Sequence, residues 1–503
     1  MTAVRGNFTQ VSIRLSRLLF FTAWSLATIA PLLYGQESVG MPSKVELKNR
    51  APVSREILRV KLPKPAEFKL KNGLTVLILE DHRAPYVNVQ LYIGSAGSLF
   101  EPSDMTGLAS ATAQMLREGT RSRNSVQIAE EIDRLGASFG AGAAFGSPDA
   151  VLSASGLSNN FDDWFSVVID VLLHPSFPAD ELEKLKQRQR VQLREQRSAS
   201  GFLLNERFYR AVYREHPAAH VAPTLQSVDH LSRDALIKWH RERYRPQQAI
   251  LGIAGDVQTS ALMTKLQNQL GRWQRSESKE TWPRDPAAAT QRNVLLVDRP
   301  SSVQTSLALG NIAIRRRSPD YIPMVVMNHV IGGGVSSRLF LNLREEKGYT
   351  YGVYSNFSAL RYPGPWRAGG NLRTEVTASA LTEFFNEIRR IREEKVPTAE
   401  LEASKRSIVA GFALSLEQPA RLLGFAITRK EYGLPVDYWD SYATKIMEVT
   451  ADDVQRVARK YLDPTALQLV AVGDAEKIKP ILEQYGKVEV FDVNGAPLSN
   501  AAP

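Results

Sequence analysis

The 503-residue sequence contains no cysteine, which excludes disulfides, thiolate metal sites and the lipidated cysteine of an anchored lipoprotein. Histidine is sparse too, with seven residues: His82, His174, His216, His220, His230, His240 and His329. Only His216 and His220 stand four apart, and Pro217 between them opposes the helix that would set both on one face, so they read as loop histidines. No run of basic residues interleaved with aromatics accompanies the net charge of +10, and nucleic acid is not an expected partner. Long apolar runs are limited to Leu18–Leu33, LLFFTAWSLATIAPLL, which follows Arg5, Arg14 and Arg17 and precedes Tyr34, Gly35 and Gln36. The run is short for a span, carries Thr22, Ser25 and Thr28, and is broken by Pro31. It reads as a signal peptide over residues 1–35, cleaved near Gly35, in preference to a retained anchor. An exported, periplasmic protein without a stable membrane span is the expectation.

What is present is enough apolar residue, 43% against 23% charged, for a folded chain too long for one core. Residues 36–65 are polar and bear prolines, as an extended arm would. Phe68–Glu80 holds two strand patterns across an Asn72-Gly73 turn, and Val87–Ile93 is a further strand. A helix is expected from Thr106, with Thr106 as its N-cap, and a second over Ile128–Leu135. Strands are expected within Phe139–Leu157 and amphipathic helices over Phe161–Leu173 and Asp180–Arg197. The last carries Lys184, Lys186, Arg188, Arg190, Arg194 and Arg197, which a solvated face would explain.

The chain then echoes itself. Ser232 and Thr450 each precede a helix, Pro246 and Pro464 each follow one, and Asp256 and Asp474 each end a strand. Val76 in TVLILED and Val294 in NVLLVD form a fourth pair, and all four pairs are 218 positions apart. Such coincidence predicts two copies of one α+β fold, each an antiparallel sheet packed with helices. The copies are expected at 66–274 and 294–490, joined by a linker over 275–293 and followed by a tail over 491–503.

In the second copy, Gly332, Gly333 and Gly334 open a stretch that continues with Leu339, Phe340 and Leu343 at helical spacing. Arg344, Glu345, Glu346 and Lys347 follow, then Gly348 as a helix stop and a strand over Tyr349–Tyr354. Three glycines can take positive φ and let backbone amides approach another chain. Loop, helix and strand in this order could bring Arg344 and Tyr351 to one spot, a guanidinium fork beside a phenol donor. A solvated arginine and a half-buried strand tyrosine would be the plain alternative. The loop lacks the Gly-Lys-Ser/Thr end of a phosphate loop, and Ser336 and Ser337 lack a nucleophile's frame.

Glycine run, SSRLF, LREEKG and TYGVYS in one line resemble the C-terminal half of the M16 (insulinase, pitrilysin and mitochondrial processing peptidase) family of zinc peptidases. The likeness covers roughly Phe68–Val490 and implies two domains per polypeptide, facing a partner like halves of a clam shell. It also implies that Arg344 and Tyr351 bind and polarise a substrate carbonyl, with Tyr349 where a leucine is more usual. In the first half the family carries H-x-x-E-H, two histidines on one helix face for Zn²⁺ and a glutamate as general base. Here the frame Gly107-Leu108-Ala109, Met115-Leu116 and Gly119-Thr120 survives, but Ser110 and Gln114 occupy the histidine positions and Ala113 that of the base. No carboxylate lies between Glu183 and Glu195, where a further ligand is expected. The resemblance therefore implies a chain with no metal ligands of its own. It would be the non-zinc subunit of a heterodimeric peptidase, with Zn²⁺ in an H-x-x-E-H partner and unstructured peptides as substrates. A catalytically silent M16-fold peptide-binding or scaffold protein is the other reading.

Overall fold

The computed structural model describes residues 59–275, 277 and 281–498. The expected signal peptide and residues 36–58 of the arm lie outside the described residues, as do the end of the tail and part of the linker. Among the described residues no helix is long and apolar enough to cross a membrane.

The first half holds six strands: β1 (Ala66–Lys69), β2 (Thr75–Glu80), β3 (Tyr86–Gly94), β4 (Ser138–Gly142), β5 (Asp149–Leu157) and β6 (Ala249–Gly255). The second holds β7 (Val294–Asp298), β8 (Gln304–Ile314), β9 (Thr350–Ala359), β10 (Pro363–Arg373), β11 (Gln468–Gly473) and β12 (Val488–Phe491). Their orders are β1-β2-β6-β3-β5-β4 and β12-β7-β11-β8-β10-β9. The duplication expected from the 218-residue spacing is thus present as two sheets of matching order, with Val76 on β2 and Val294 on β7 in corresponding strands. The fold is α+β, but its sheets are not wholly antiparallel. Strands β2 and β6 pair in parallel, as do β7 with β11 and β12, because the helices between them return the chain to the same end of the sheet.

Ser232 and Thr450 are the caps that their positions suggest, accepting from the N–H of Ala235 and Asp453. Gly73 turns the first hairpin at φ +92°. Thr106 does not cap its helix. The helix runs Leu108–Met115 behind Gly107 at φ +100°, and the Glu101 carboxylate accepts from the N–H of Gly107 (2.9 Å) and Ala109 (2.7 Å). A carboxyl group that accepts from two N–H groups at a helix N-terminus outdoes a single hydroxyl, and it comes from the preceding turn.

Each half lends a helix to the other. Leu203, Leu204, Phe208 and Val212 of Ser200–Tyr213 pack on Val297, Ala308, Ile312 and Val470 of the second sheet. Leu423, Ala426 and Ile427 of Pro419–Glu431 pack on Leu77, Leu79 and Ala254 of the first. Gly252 makes room for this second contact, since a Cβ there would stand 2.7 Å from Leu423 Cδ1. The same strands bury their alternate residues, Val76 and Ile78 or Leu307 and Leu309, in the main core of each half. Sheets covered on both faces read as unbroken apolar strands.

Candidate functional site

Arg344 and Tyr351 lie on consecutive pieces of backbone. Leu339, Phe340 and Leu343 are buried as their spacing suggests, but Leu341–Glu346 winds as a π-helix rather than an α-helix, a form that gathers at functional sites. Two neighbours hold this turn. Arg338, with 4% of its side chain exposed, forks onto Glu400 at 2.7 and 2.9 Å, and Asn342 donates at 3.0 Å to both Glu383 and Glu387. Gly348, at φ +65°, ends the turn.

Strand β9, the edge of its sheet, follows. Thr350 pairs with Leu372 and Val353 with Gly370, so Tyr351 and Gly352 together face a single residue, Asn371. This is a β-bulge, which turns a side chain out of the ladder's alternation. Thr350 fixes it by donating from Oγ1 to the carbonyl of Asn371 (2.6 Å). The result is a tyrosine that is 93% exposed on a folded strand.

Tyr351 stands on the wall of a cleft of about 450 Å³, together with Tyr354, Asn356, Arg367 and Asn371 from β9 and β10 and Leu204 from the first half's lent helix. Arg367 spans the cleft to Asn205 (2.9 Å) and lies over Phe208. Arg344 does not line the cleft. Its guanidinium sits 4.8 Å over the Phe340 ring and pairs with Glu345 at 3.0 Å; Phe340 in turn packs on Tyr354, with centroids 5.5 Å apart. The two expected residues are therefore linked through Phe340 and Tyr354 and do not share one wall.

The three glycines differ from their sequence reading. None has positive φ, and none lines this cleft. Gly332 ends the helix Tyr321–Gly332, where a Cβ would overlap Ser355 of β9. Its smallness serves close packing, while Gly333 and Gly334 form a turn closed by Ser337 Oγ donating to the Gly334 carbonyl (2.6 Å).

Ser110 and Gln114 project from one helix face, and Gln114 Nε2 donates to Ser110 Oγ at 3.0 Å. Ala113 is fully buried. A hydroxyl, a methyl and an amide do not fit zinc, which takes thiolate, imidazole or carboxylate. Among the described residues no group of three or more His, Cys, Asp or Glu could hold a metal. The helix opposite, Ala179–Gln196, corrects a further expectation. Its basic residues are not simply a solvated face, because Lys186 is buried and donates to the Leu231 carbonyl (3.2 Å). Arg190 turns to Asp229. The side facing Ser110 and Gln114 is instead glutamine: Gln189, Gln192 and Gln196. His216 and His220 flank the short turn Pro217–Ala219, with His216 stacked on Tyr213 and tilted against Tyr362.

Withdrawal from water pushes the Glu101 carboxyl from its ordinary 4.5 up to about 7, against the pull of the two N–H donors. The folded chain thus keeps this proton after the unfolded chain has shed it. Glu101's contribution is full below pH 4.5 and is lost as pH rises through about 7. The melting temperature of the wild type relative to Glu101→Gln is expected to fall from about pH 5 to about pH 8; a constant difference in a calorimetric pH series would contradict it.

Comparison with known proteins matches residues 75–223 to the profile described as Insulinase (Peptidase family M16) and residues 230–408 to Peptidase M16 inactive domain. An uncharacterised zinc protease YmxG of Bacillus subtilis is 24% identical over 70% of this chain and 84% of its own length. A protein named non-peptidase homolog YmxG, from Helicobacter pylori, is 22% identical over 80% and 93%. Among solved structures, the peptidase M16 inactive domain of Pseudomonas fluorescens superposes with a TM-score of 0.76 at 26% identity, covering 82% of this chain and 98% of that one.

Proposed function

The chain belongs to peptidase family M16, and on that premise we propose that it is the non-zinc subunit of an exported heterodimeric metallopeptidase. One observation carries the reading: a bulge on an edge strand holds Tyr351 out at 93% exposure. A bare aromatic with a polar tip is the kind of group an interface or bound peptide covers. Tyr354 on the same cleft is exposed too, as are Val335 and Leu341 on the preceding stretch of chain, which supports the same conclusion.

In the closed pair, Tyr351 donates from its hydroxyl to the scissile carbonyl oxygen as negative charge develops there. Arg344 leaves Glu345 and grips a backbone carbonyl or carboxylate with its planar fork, a role for which lysine is no substitute. The turn at Gly333 and Gly334 offers its backbone to the incoming peptide, while Gly332 stays packed on Ser355. Metal and attacking water come from an H-x-x-E-H partner, since Ser110, Ala113 and Gln114 supply no ligand or base. The segment Leu18–Leu33 directs export. Mixing the separately purified subunits tests this: each alone is expected to be silent and the mixture to cleave unstructured peptides. Peptide hydrolysis by this chain alone with one equivalent of zinc would overturn it. The name non-peptidase homolog on the Helicobacter pylori relative favours a second reading, a silent peptide-holding protein, and a mixture that never cleaves would select it.

A further inference from the structure

A second cavity, of about 700 Å³, opens at the other end of β8, with a volume inside the roughly 300–1,000 Å³ of small-molecule sites. The Tyr351 cleft takes Gln304 and Leu307 from the start of this strand, and the cavity takes Arg316 from just past Ile314 at its end. About 30 Å of extended chain lies between them, at roughly 3.4 Å per residue. Arg316 is only 6% exposed, and its guanidinium lies 3.8 Å from the ring centre of Tyr321 and 4.9 Å from that of Tyr438, both of which also line the cavity. Its Nη1 donates to the Tyr438 hydroxyl at 2.9 Å. Nε and Nη2 have no acceptor in the protein, yet neither atom is sealed from solvent. The little surface that Arg316 keeps opens on this cavity. Arg338, buried to a similar degree, gives the same Nε–Nη2 edge to Glu400. Among the described residues no carboxylate pairs with Arg316, and Glu431 senses its charge without an ion pair. A guanidinium so far withdrawn from water calls for a counter-ion, and its open edge leaves a place for one.

We propose that this cavity binds an organic carboxylate on an apolar body, the C-terminal residue of a peptide or a small free acid, with Arg316 as its anchor. Two carboxylate oxygens match the two parallel N–H donors at Nε and Nη2. Ile322, Leu434, Pro435 and Val449 supply apolar wall for the body. Arg317 and Lys445 stand exposed on the same wall and form no ion pair, so the approach to Arg316 is basic. The Asp453 carboxylate is held by the Thr450 hydroxyl and by Arg456, which leaves Glu448 as the wall's one carboxylate without a partner. A dianion such as a phosphate monoester would meet Glu448 with twice the charge, and an ammonium would meet three cations. A carboxamide brings one oxygen and no charge. The site goes beyond the reading above and needs neither Tyr351 nor a zinc partner.

Calorimetric titration of the full chain tests it with two pairs of probes: acetyl-Ala-Ala-Phe as the free acid and as its C-terminal amide, and hydrocinnamate beside hydrocinnamide. At least one acid is expected to bind about tenfold more tightly than its amide, the usual worth of a hydrogen bond to a charged group. A preference in the peptide pair alone assigns the carboxylate to a chain terminus, one in the small pair alone to a free acid, and one in both to either source. Arg317→Glu with Lys445→Glu changes two exposed residues and should weaken the acid about threefold or more while the melting temperature holds. Arg315→Ala, next in sequence but paired with Asp285 and off the wall, should leave binding unchanged. Arg316→Lys keeps the charge, removes the fork and should erase the preference; if this buried variant does not fold, the exposed pair decides. Acids that bind no better than their amides overturn the site. So do a preference that survives the charge reversal, an equal loss in Arg315→Ala, and tighter binding of phenyl phosphate than of hydrocinnamate. Each of these results leaves the peptidase reading untouched, since that is measured on the mixed subunits.

Discussion

Tyr351→Phe is expected to lower turnover by the reconstituted pair about 10²–10³-fold, the usual loss when one donor to a developing oxyanion is removed. The substitution deletes a single oxygen and keeps the ring, so subunit affinity and KM should change little. That pattern, kcat down with KM held, marks an interaction made in the transition state rather than in substrate binding. The Thr350 anchor and the pairing on either side of the bulge do not involve the phenol, so the fold gives the variant no reason to misplace its neighbours. Steady-state kinetics with a saturating zinc subunit checks the result. Wild-type turnover in the variant mixture would remove Tyr351 from the chemistry while leaving the pairing of subunits untouched.

Glu400→Ala should destabilise the chain by about 3 kcal/mol, the lower part of the range for stripping a buried cation of its partner. Arg338 has 4% of its side chain exposed and directs Nε and Nη2 onto Glu400, while its Nη1 is already without a partner. Losing the carboxylate would leave the whole guanidinium unsatisfied in a dry setting. Glu400 is itself 29% exposed, which lets water enter the gap and holds the cost below the top of that range. Arg338 begins the segment that becomes the π-helical turn, so the same variant should also loosen Arg344. Urea unfolding of wild type and variant measures the difference, and a change below about 1 kcal/mol would show that the pair is screened as surface pairs are.

Much of the architecture can be read before any coordinates. The four landmark pairs at a spacing of 218 identify the duplication, and the two sheets repeat one order around strands β2 and β7. The N-caps Ser232 and Thr450 and the stop at Gly348 are local signals and appear where the sequence suggests. Features that depend on distant partners are not legible in this way. Glu101 takes over the role expected of Thr106 because its reach across the preceding turn leaves no periodic trace. The apolar stripe of Ser200–Tyr213 announces that a face is buried, but not that the second half's sheet buries it. The bulge at Tyr351 depends on a register set by β10. One missed feature was within reach: Gln189, Gln192 and Gln196 recur at three and four residues, which places them on one side of their helix. The basic residues interleaved with them mask that pattern.

The lent helices also say something about how such a chain could arise. A single half standing alone would leave one side of its sheet bare, and two identical halves could cover each other only by exchanging arms about a two-fold axis. A chain of half this length would therefore depend on meeting a twin. Two copies in one chain make that encounter an event within one molecule, insensitive to dilution. Each copy is then free to differ in sequence while its sheet keeps the shared strand order.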